Sequence, residues 1–540
     1  MPFASPITLL AHMLSAYCKD VYNKYNKIKK LTNKHSRLKI CFPAGSAGSS
    51  PAIRTINSPR PARIGLLSLA LAISGCNTAS TGPITVSVVG ASLKTSDPNM
   101  GPTSAATDLM LSAIAQGLVS FDENDQVQPA LAERWIVTDD GLSYIFRIRE
   151  AEWANGGTVT SADVVASLKR SMASDGRNML RGLFTNVTAI IPMTGQVIEI
   201  RLKSPEPNFL QLLAQPEMAI LQAGHGSGPY AIHSRRGGVV RLRPNPEGEA
   251  DQGAKPATSD ANDIRIRAER PGLAIARFEA GDADYVTGGT FIDLPLARAA
   301  RPNTARFQPD PAYGLFGLVA ADGSEVLEDP NLRLALSIAI DREGLVQRFG
   351  VPNWKIALSV LPAALDSSAS PSAMSAIQNP LIERRARARS IISNRGGARG
   401  PVRVRISLPD GIGSRLLFAS IASDWRRIGV EAVRVRSGQP TDLFLIDEVA
   451  PVSSAVWYLQ RLSCGRAIKC SEAAQDKLKA ALTELDFGKK RALIAEADAA
   501  LVATNHFIPI ALPMRWSLVG TGLIGWRKSA FAAHSLRKLR

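Results

Sequence analysis

Apolar positions recur with a two-residue period in several short stretches of this chain and with a helical period in others. Ile84 to Val89 predicts a strand, and Ala106 to Gly117 has helical spacing. Arg134 to Thr138 and Leu142 to Arg149 are strand-like runs separated by Asp139, Asp140 and Gly141. Asp-Gly supplies the positive φ of a tight hairpin turn, and Tyr144, Phe146 and Ile148 give the second run one apolar face. After a turn at Asn155, Gly156 and Gly157, Thr160-Ser-Ala-Asp163 reads as a capping box. The Thr160 hydroxyl accepts from the Asp163 amide while the Asp163 carboxylate reaches back to the Thr160 amide. The helix it opens carries Val164, Val165 and Leu168 on one side, and Lys169 and Arg170 at its end suit the helix dipole.

Further along, Val197 to Leu202 alternates and Phe209 to Ala214 predicts a short helix. Residues 244–262 are polar and rich in Gly and Pro, which predicts a surface loop. Ile264 to Ile266 starts a strand and Leu273 to Phe278 is helical. Leu332, Ala335, Leu336 and Ala339 share one helical face, and Asp341 is placed to cap the next short helix. Val402 to Leu408 and Val430 to Val435 predict strands on either side of an amphipathic helix, Leu416 to Ile428. Asp442 to Ile446 reads as a buried strand. Lys477 to Leu485 and Lys489 to Val502 predict two helices with Ala and Leu on one face.

Composition narrows the class. The 540 residues suffice for two or three domains, and 45% hydrophobic with 21% charged residues is ordinary for a globular protein. No apolar run reaches the roughly 20 residues of a membrane-spanning helix. The net charge of +17 is uneven: residues 1–75 carry +10 of it. No run of Lys and Arg with interleaved aromatics tracks phosphates in the remainder, so no nucleic-acid partner is expected.

Residues 1–59 hold Lys19, Lys24, Lys27, Lys29, Lys30, Lys34 and Lys39, whereas the later chain prefers Arg, Ala and Gly. This shift predicts an unstructured leader or an over-extended start, with a basic nucleic-acid arm as the alternative. Arg60 and Arg63 then precede the apolar run Ile64 to Ile73, and Ile73-Ser-Gly-Cys76 follows. A basic region, an apolar region and small residues at the cut describe a secretory signal over 60–76. The tetrapeptide resembles a bacterial lipobox, which implies lipidation at Cys76; the alternative is a buried strand that ends in Cys. Of the other cysteines, Cys464 and Cys470 lie close enough for a local disulfide in an exported protein, with a metal pair as the alternative.

Two blocks carry a family resemblance. From Pro129 to Arg170 the order LAE-x-W, then DG-x-x-Y-x-F-x-I-R, then W-x-N-G-x-x-x-T-x-x-D-V-x-x-S-L-K-R resembles the signature of bacterial extracellular solute-binding proteins of family 5. These are the peptide, dipeptide and nickel-binding components of ABC importers. The second block, Asp329-Pro-Asn-Leu-Arg333 through Ile340-Asp341-Arg342, is similar to the family's D-P-x-V-R-x-A-L-S-x-A-I-D-R. Gly226-Ser-Gly-Pro-Tyr230 matches a G-T-G-P-Y loop that is mainly structural in the family.

The resemblance implies an α/β fold with two lobes joined by a hinge, of the type II periplasmic-binding-protein kind. An extra subdomain at about 116–195 would sit in the first lobe. The lobes are expected at 77–285 and 286–505, with a first hinge near 283–290 and a return to the first lobe over 506–540. It further implies a monomeric, exported receptor, anchored to the envelope membrane through its lipid. Such a receptor carries a peptide or similar polar solute to an ABC permease and ATPase, with no cofactor and no chemistry of its own.

Peptide-binding relatives place an aspartate after the Asp442-type strand to hold the ligand's ammonium group. Here that later position falls at Val452, Ser453 or Ser454, which departs from the pattern. Asp447 and Glu448 are the substitute candidates, with solvated loop acids as the plain alternative, and Trp457 either lies against ligand or packs in the core. No histidine pair has metal-ligand spacing, so nickel gains no support. Two other functions remain open: a family member that serves as an envelope scaffold or sensor without transporting, and a penicillin-binding-type serine enzyme. The second rests only on Ser535-x-x-Lys538 without partner motifs.

Overall fold

The computed structural model describes residues 82–90, 93, 97–245, 262–300, 306–310, 312–362, 365, 370–395, 401–537 and 539. The leader, the signal segment with Cys76, most of the 244–262 loop and Lys538 lie outside the described residues.

β1 (Ile84–Val89) buries Val86 and Val88 completely. α1 (Ala105–Ile114) begins where the Ser104 hydroxyl accepts from the Thr107 amide. β2 (Val119–Phe121) and β3 (Val127–Pro129) form a small hairpin. β4 (Ala132–Val137) and β5 (Ser143–Ile148) form another, turned through Gly141 at φ +69°. Tyr144, Phe146 and Ile148 are buried and Arg147 is exposed, as the alternation predicts. α2 (Ser161–Met172) opens on the expected capping box, with both of its hydrogen bonds present. β6 (Val187–Thr194), β7 (Val197–Leu202) and α3 (Phe209–Leu213) complete a subdomain on the antiparallel sheet β4-β5-β7-β6. Because β7 pairs with both β5 and β6, this unit runs past residue 195 to at least Leu202.

The chain continues through β8 (Tyr230–Arg236), β9 (Val239–Pro244), β10 (Ile264–Glu269), α4 (Pro271–Glu279), β11 (Tyr285–Thr290), α5 (Leu294–Ala299) and β12 (Phe307–Asp310). After β13 (Gly314–Ala320) come α6 (Pro330–Ala339), α7 (Arg342–Arg348), α8 (Leu381–Asn394) and β14 (Val402–Ser407). α9 (Ile412–Arg426), β15 (Val430–Val435), β16 (Leu443–Val449) and α10 (Ala455–Arg461) follow. α11 (Glu472–Thr483) and α12 (Phe487–Thr504) lead to β17 (Phe507–Ala511) and β18 (Arg515–Val519). Both long helices start earlier than their apolar pattern, because Ser471 and Asp486 cap them.

Two larger sheets organise the rest. The first has the order β12-β18-β11-β1-β10-β9-β8, with β1 parallel to both of its neighbours. The second has the order β15-β14-β16-β13-β17. Since β11 pairs with β1, and β12 with β18, both belong to the first sheet. The outgoing crossover therefore falls between Asp310, which ends β12, and Gly314, which starts β13, and not at 283–290. Likewise β17 pairs with β13 in the second sheet, so the return runs through 512–514 rather than beginning at 506. A Cβ at Gly314 would run into the Glu448 carbonyl, so glycine is required where the outgoing crossover meets β16.

The second signature block is structural cement. Leu332, Ala335, Leu336 and Ala339 are fully buried, and the Gly344 amide donates to the Asp341 carboxylate at 2.9 Å, capping α7. Buried Arg333 donates to the Thr504 carbonyl (2.7 Å) and the Glu328 carbonyl (2.9 Å). Buried Arg342 donates to Pro509 (2.8 Å) and Ser337 (3.0 Å) carbonyls, tying α6 to β17. Among the described residues no helix is long and apolar enough to cross a membrane.

Candidate functional site

A cavity of about 360 Å³ lies where the two larger sheets face each other. Its first wall comes from α1 (Asp108, Ser112), the β2–β3 hairpin (Phe121, Gln128), the 215–217 turn and the edge of β11 and β18 (Thr290, Trp516). Val449, Ala450 and Pro451, at the end of β16, form the opposite wall. A third side is closed by residues 531–535 and Arg537, which follow β18.

Two carboxylates on the first wall have unusual electrostatics. Burial pushes Asp108 up to about 6, with the Thr103 hydroxyl bond pulling the other way. Burial, and then the charge of Asp108, push Glu217 up to about 7. Their like charges in poorly solvated surroundings make the pair a ready acceptor for a cation, which would favour the ionised form of both.

The expected site acids are engaged elsewhere. Asp447 receives Arg515 Nη1 at 2.8 Å, while Arg515 Nη2 donates to the Asp447 carbonyl at 3.1 Å. Burial nonetheless raises the Asp447 carboxyl, with Arg515 opposing. Glu448 is held by a two-pronged ion pair with Arg461. Trp457 is half-buried on α10, its ring set edge-on to Tyr458 at 4.9 Å, and packs against the core around β13 and β16. None of the three lines the cavity; their neighbours Val449 to Pro451 do. Cys464 and Cys470 are joined by a disulfide.

Of Val452, Ser453 and Ser454, where the family pattern has a ligand-binding aspartate, Val452 is 1% exposed and packs in the subdomain's core with Phe209 and Leu212. Beside it, Gln215 Nε2 donates to the Pro451 carbonyl and Asn208 Nδ2 to the Ser453 carbonyl (3.4 Å). The loop after β16 is thus docked onto the first lobe by an apolar plug and two amide contacts. Asp108 and Glu217 are 109 positions apart in sequence, so no local pattern signals that they share one wall.

An open two-sheet architecture with two crossovers and a cavity between the sheets defines the two-lobed periplasmic-binding-protein fold. The profile of bacterial extracellular solute-binding proteins, family 5 Middle, matches residues 126–448, and the chain belongs to this family. The probable di/tripeptide-binding protein 5 of Pseudomonas aeruginosa is 26% identical over 288 residues, covering 45% of this chain and 52% of that protein. The glutathione-binding protein GsiB of Escherichia coli K12 is 30% identical over 193 residues, covering 32% and 36%. The match therefore spans about half, or less, of the length of these relatives. Among solved structures, Haemophilus influenzae OppA in complex with RPPGFSPFR superposes with a TM-score of 0.71 at 16% identity, over 84% of this chain and 98% of that one. The Escherichia coli murein tripeptide binding protein MppA gives 0.71 at 17% identity, over 84% and 98%. These likenesses establish the two-lobed fold.

Proposed function

We propose that this protein is the solute-binding component of an ABC importer, which holds a short peptide or similar polar solute between its lobes and hands it to a membrane permease. One observation carries the reading: the cavity draws its walls from both sheets and presents a pair of raised carboxylates, Asp108 and Glu217. A ligand drives closure only by binding the closed form better, which requires contact with both walls. With Asp447 and Glu448 already paired to arginines, an ammonium or guanidinium group of the ligand is assigned to Asp108 and Glu217. The names of the di/tripeptide- and glutathione-binding relatives support a short, polar ligand. The protein acts as a carrier, and neither bond-making nor a cofactor enters the account.

The same reading puts the chain in the periplasm or cell envelope, anchored by lipid at Cys76 after cleavage between Gly75 and Cys76. Mass spectrometry of protein purified from its native host tests both parts. A short cationic solute carried through purification, and an acylated N-terminal Cys76, are expected. An unmodified chain retaining residues 60–76 would overturn the anchor, and a ligand-free protein that no short peptide stabilises would overturn the carrier role. A second reading, a sensor or scaffold that does not transport, is favoured by Val452 packing into the subdomain's core where the family pattern has a ligand-binding acid.

A further inference from the structure

The segment after β18 is built as a strap. Asp125, at the tip of the β2–β3 hairpin, accepts from the Ser529 hydroxyl (2.8 Å) and the Ala530 amide (2.7 Å). The Ser529 hydroxyl in turn accepts from the Phe531 and Ala533 amides, both at 3.1 Å. Asp310, at the end of β12, takes the Ser529 amide (3.1 Å) and faces His534 Nε2 at 2.9 Å. The Tyr313 amide, inside the outgoing crossover, donates to the Ala530 carbonyl at 2.9 Å. Phe531 stacks on Phe121 with ring centres 5.5 Å apart. Beyond this span Leu536 and Leu539 are buried in the first lobe's core.

The strap has space on both sides. Ala533, His534, Ser535 and Arg537 line the 360 Å³ cavity and also a smaller one of about 50 Å³, together with Phe121 and Asp122. The strap is thus a partition within one crevice. The cavity it leaves is near the low end of the roughly 300–1,000 Å³ typical of small-molecule sites.

We infer that the strap sets the length of ligand this protein accepts: latched on Asp125, it walls the cleft to short peptides, and released, it unblocks the side of the cleft towards Trp526 and Arg527 and lets longer ones run out past it. The inference rests on the peptide-binding reading. Asp125, Ser529 and Phe531 act as positioning residues for specificity.

Asp125→Gly is the sharpest probe. Asp125 sits at φ +60°, which glycine adopts freely, so the change removes both acceptors without straining the hairpin. Phe531→Ala, which removes the ring that closes the strap on Phe121, is the second variant. A series of peptides from two to six residues, each beginning with lysine, is titrated into the full-length wild type and both variants, with circular dichroism and melting temperature as folding controls. Wild type is expected to bind the short members at least about tenfold more tightly than the long ones; Asp125→Gly is expected to lose that gap while keeping its affinity for the short ones, and Phe531→Ala to lose the gap as well. A length profile that neither folded variant changes overturns the strap inference and leaves the peptide reading standing. Failure of wild type to bind any member overturns both.

Discussion

Asp447 and Arg515 form an ion pair between the two lobes: Asp447 lies on β16 of the second sheet, Arg515 opens β18 of the first, and 2.8 Å separates their charged atoms. The pair sits beside the return crossover, and its side chains are only 13% and 19% exposed. The acid expected to meet a ligand is thus spent on joining the lobes. Removing one partner of such a buried pair strands the other charge, so Arg515→Met is expected to cost about 3 kcal/mol. The Asp447→Asn, Arg515→Met double variant should lose less than the single one. Denaturant midpoints in a double-mutant cycle check this; independent, additive effects would refute the coupling.

Asp108 and Glu217 predict a pH signature. Their folded-state values, about 6 and about 7, lie above the ordinary 3.8 and 4.5. The stability they contribute is therefore fully present below about pH 4 and lost as pH rises through 6 and 7. His506 has the opposite sign: burial lowers it to about 4, so its contribution holds above pH 6.5 and disappears as pH falls. Subtracting the denaturation profile of Asp108→Asn, Glu217→Gln cancels His506 and isolates the pair. A difference curve flat from pH 4 to 8 would contradict the assignment.

Val452 holds the lobes together by burial rather than by charge. Val452→Asp puts a carboxylate into an apolar core, and the favourable escape is to open the cleft. Small-angle scattering should register a larger radius of gyration for this variant, with Val452→Ala intermediate. Equal radii for all three would mean that the plug does not control closure.

The Cys464–Cys470 bridge closes a short loop between α10 and α11. Its loss through paired Cys→Ala changes is expected to cost about 2 kcal/mol by loop-closure entropy. Thermal unfolding with and without reductant measures it; a melting temperature insensitive to reductant would show that the bond adds nothing.

What could be read from sequence was local. The Thr160–Asp163 box, the Gly141 hairpin and the apolar face of α6 are written within a few residues of each other, and the structure bears them out. The two-lobed fold followed from motif order, but the lobe boundary did not, because the place of β11 depends on its pairing with the distant β1. Asp447 and Glu448 were visible as acids, whereas Arg515, 68 residues further on, was not visible as the partner of Asp447. Asp108 owes its shift to burial, and Glu217 to burial and then to Asp108, which no local pattern encodes.

Calorimetric titration of the full-length protein with lysine-bearing dipeptides and tripeptides at pH 8 addresses the carrier account most directly. Saturable one-to-one binding is expected, weakening at least about tenfold in Glu217→Gln. Absence of binding in the wild type, or an affinity that Glu217→Gln leaves unchanged, would contradict it.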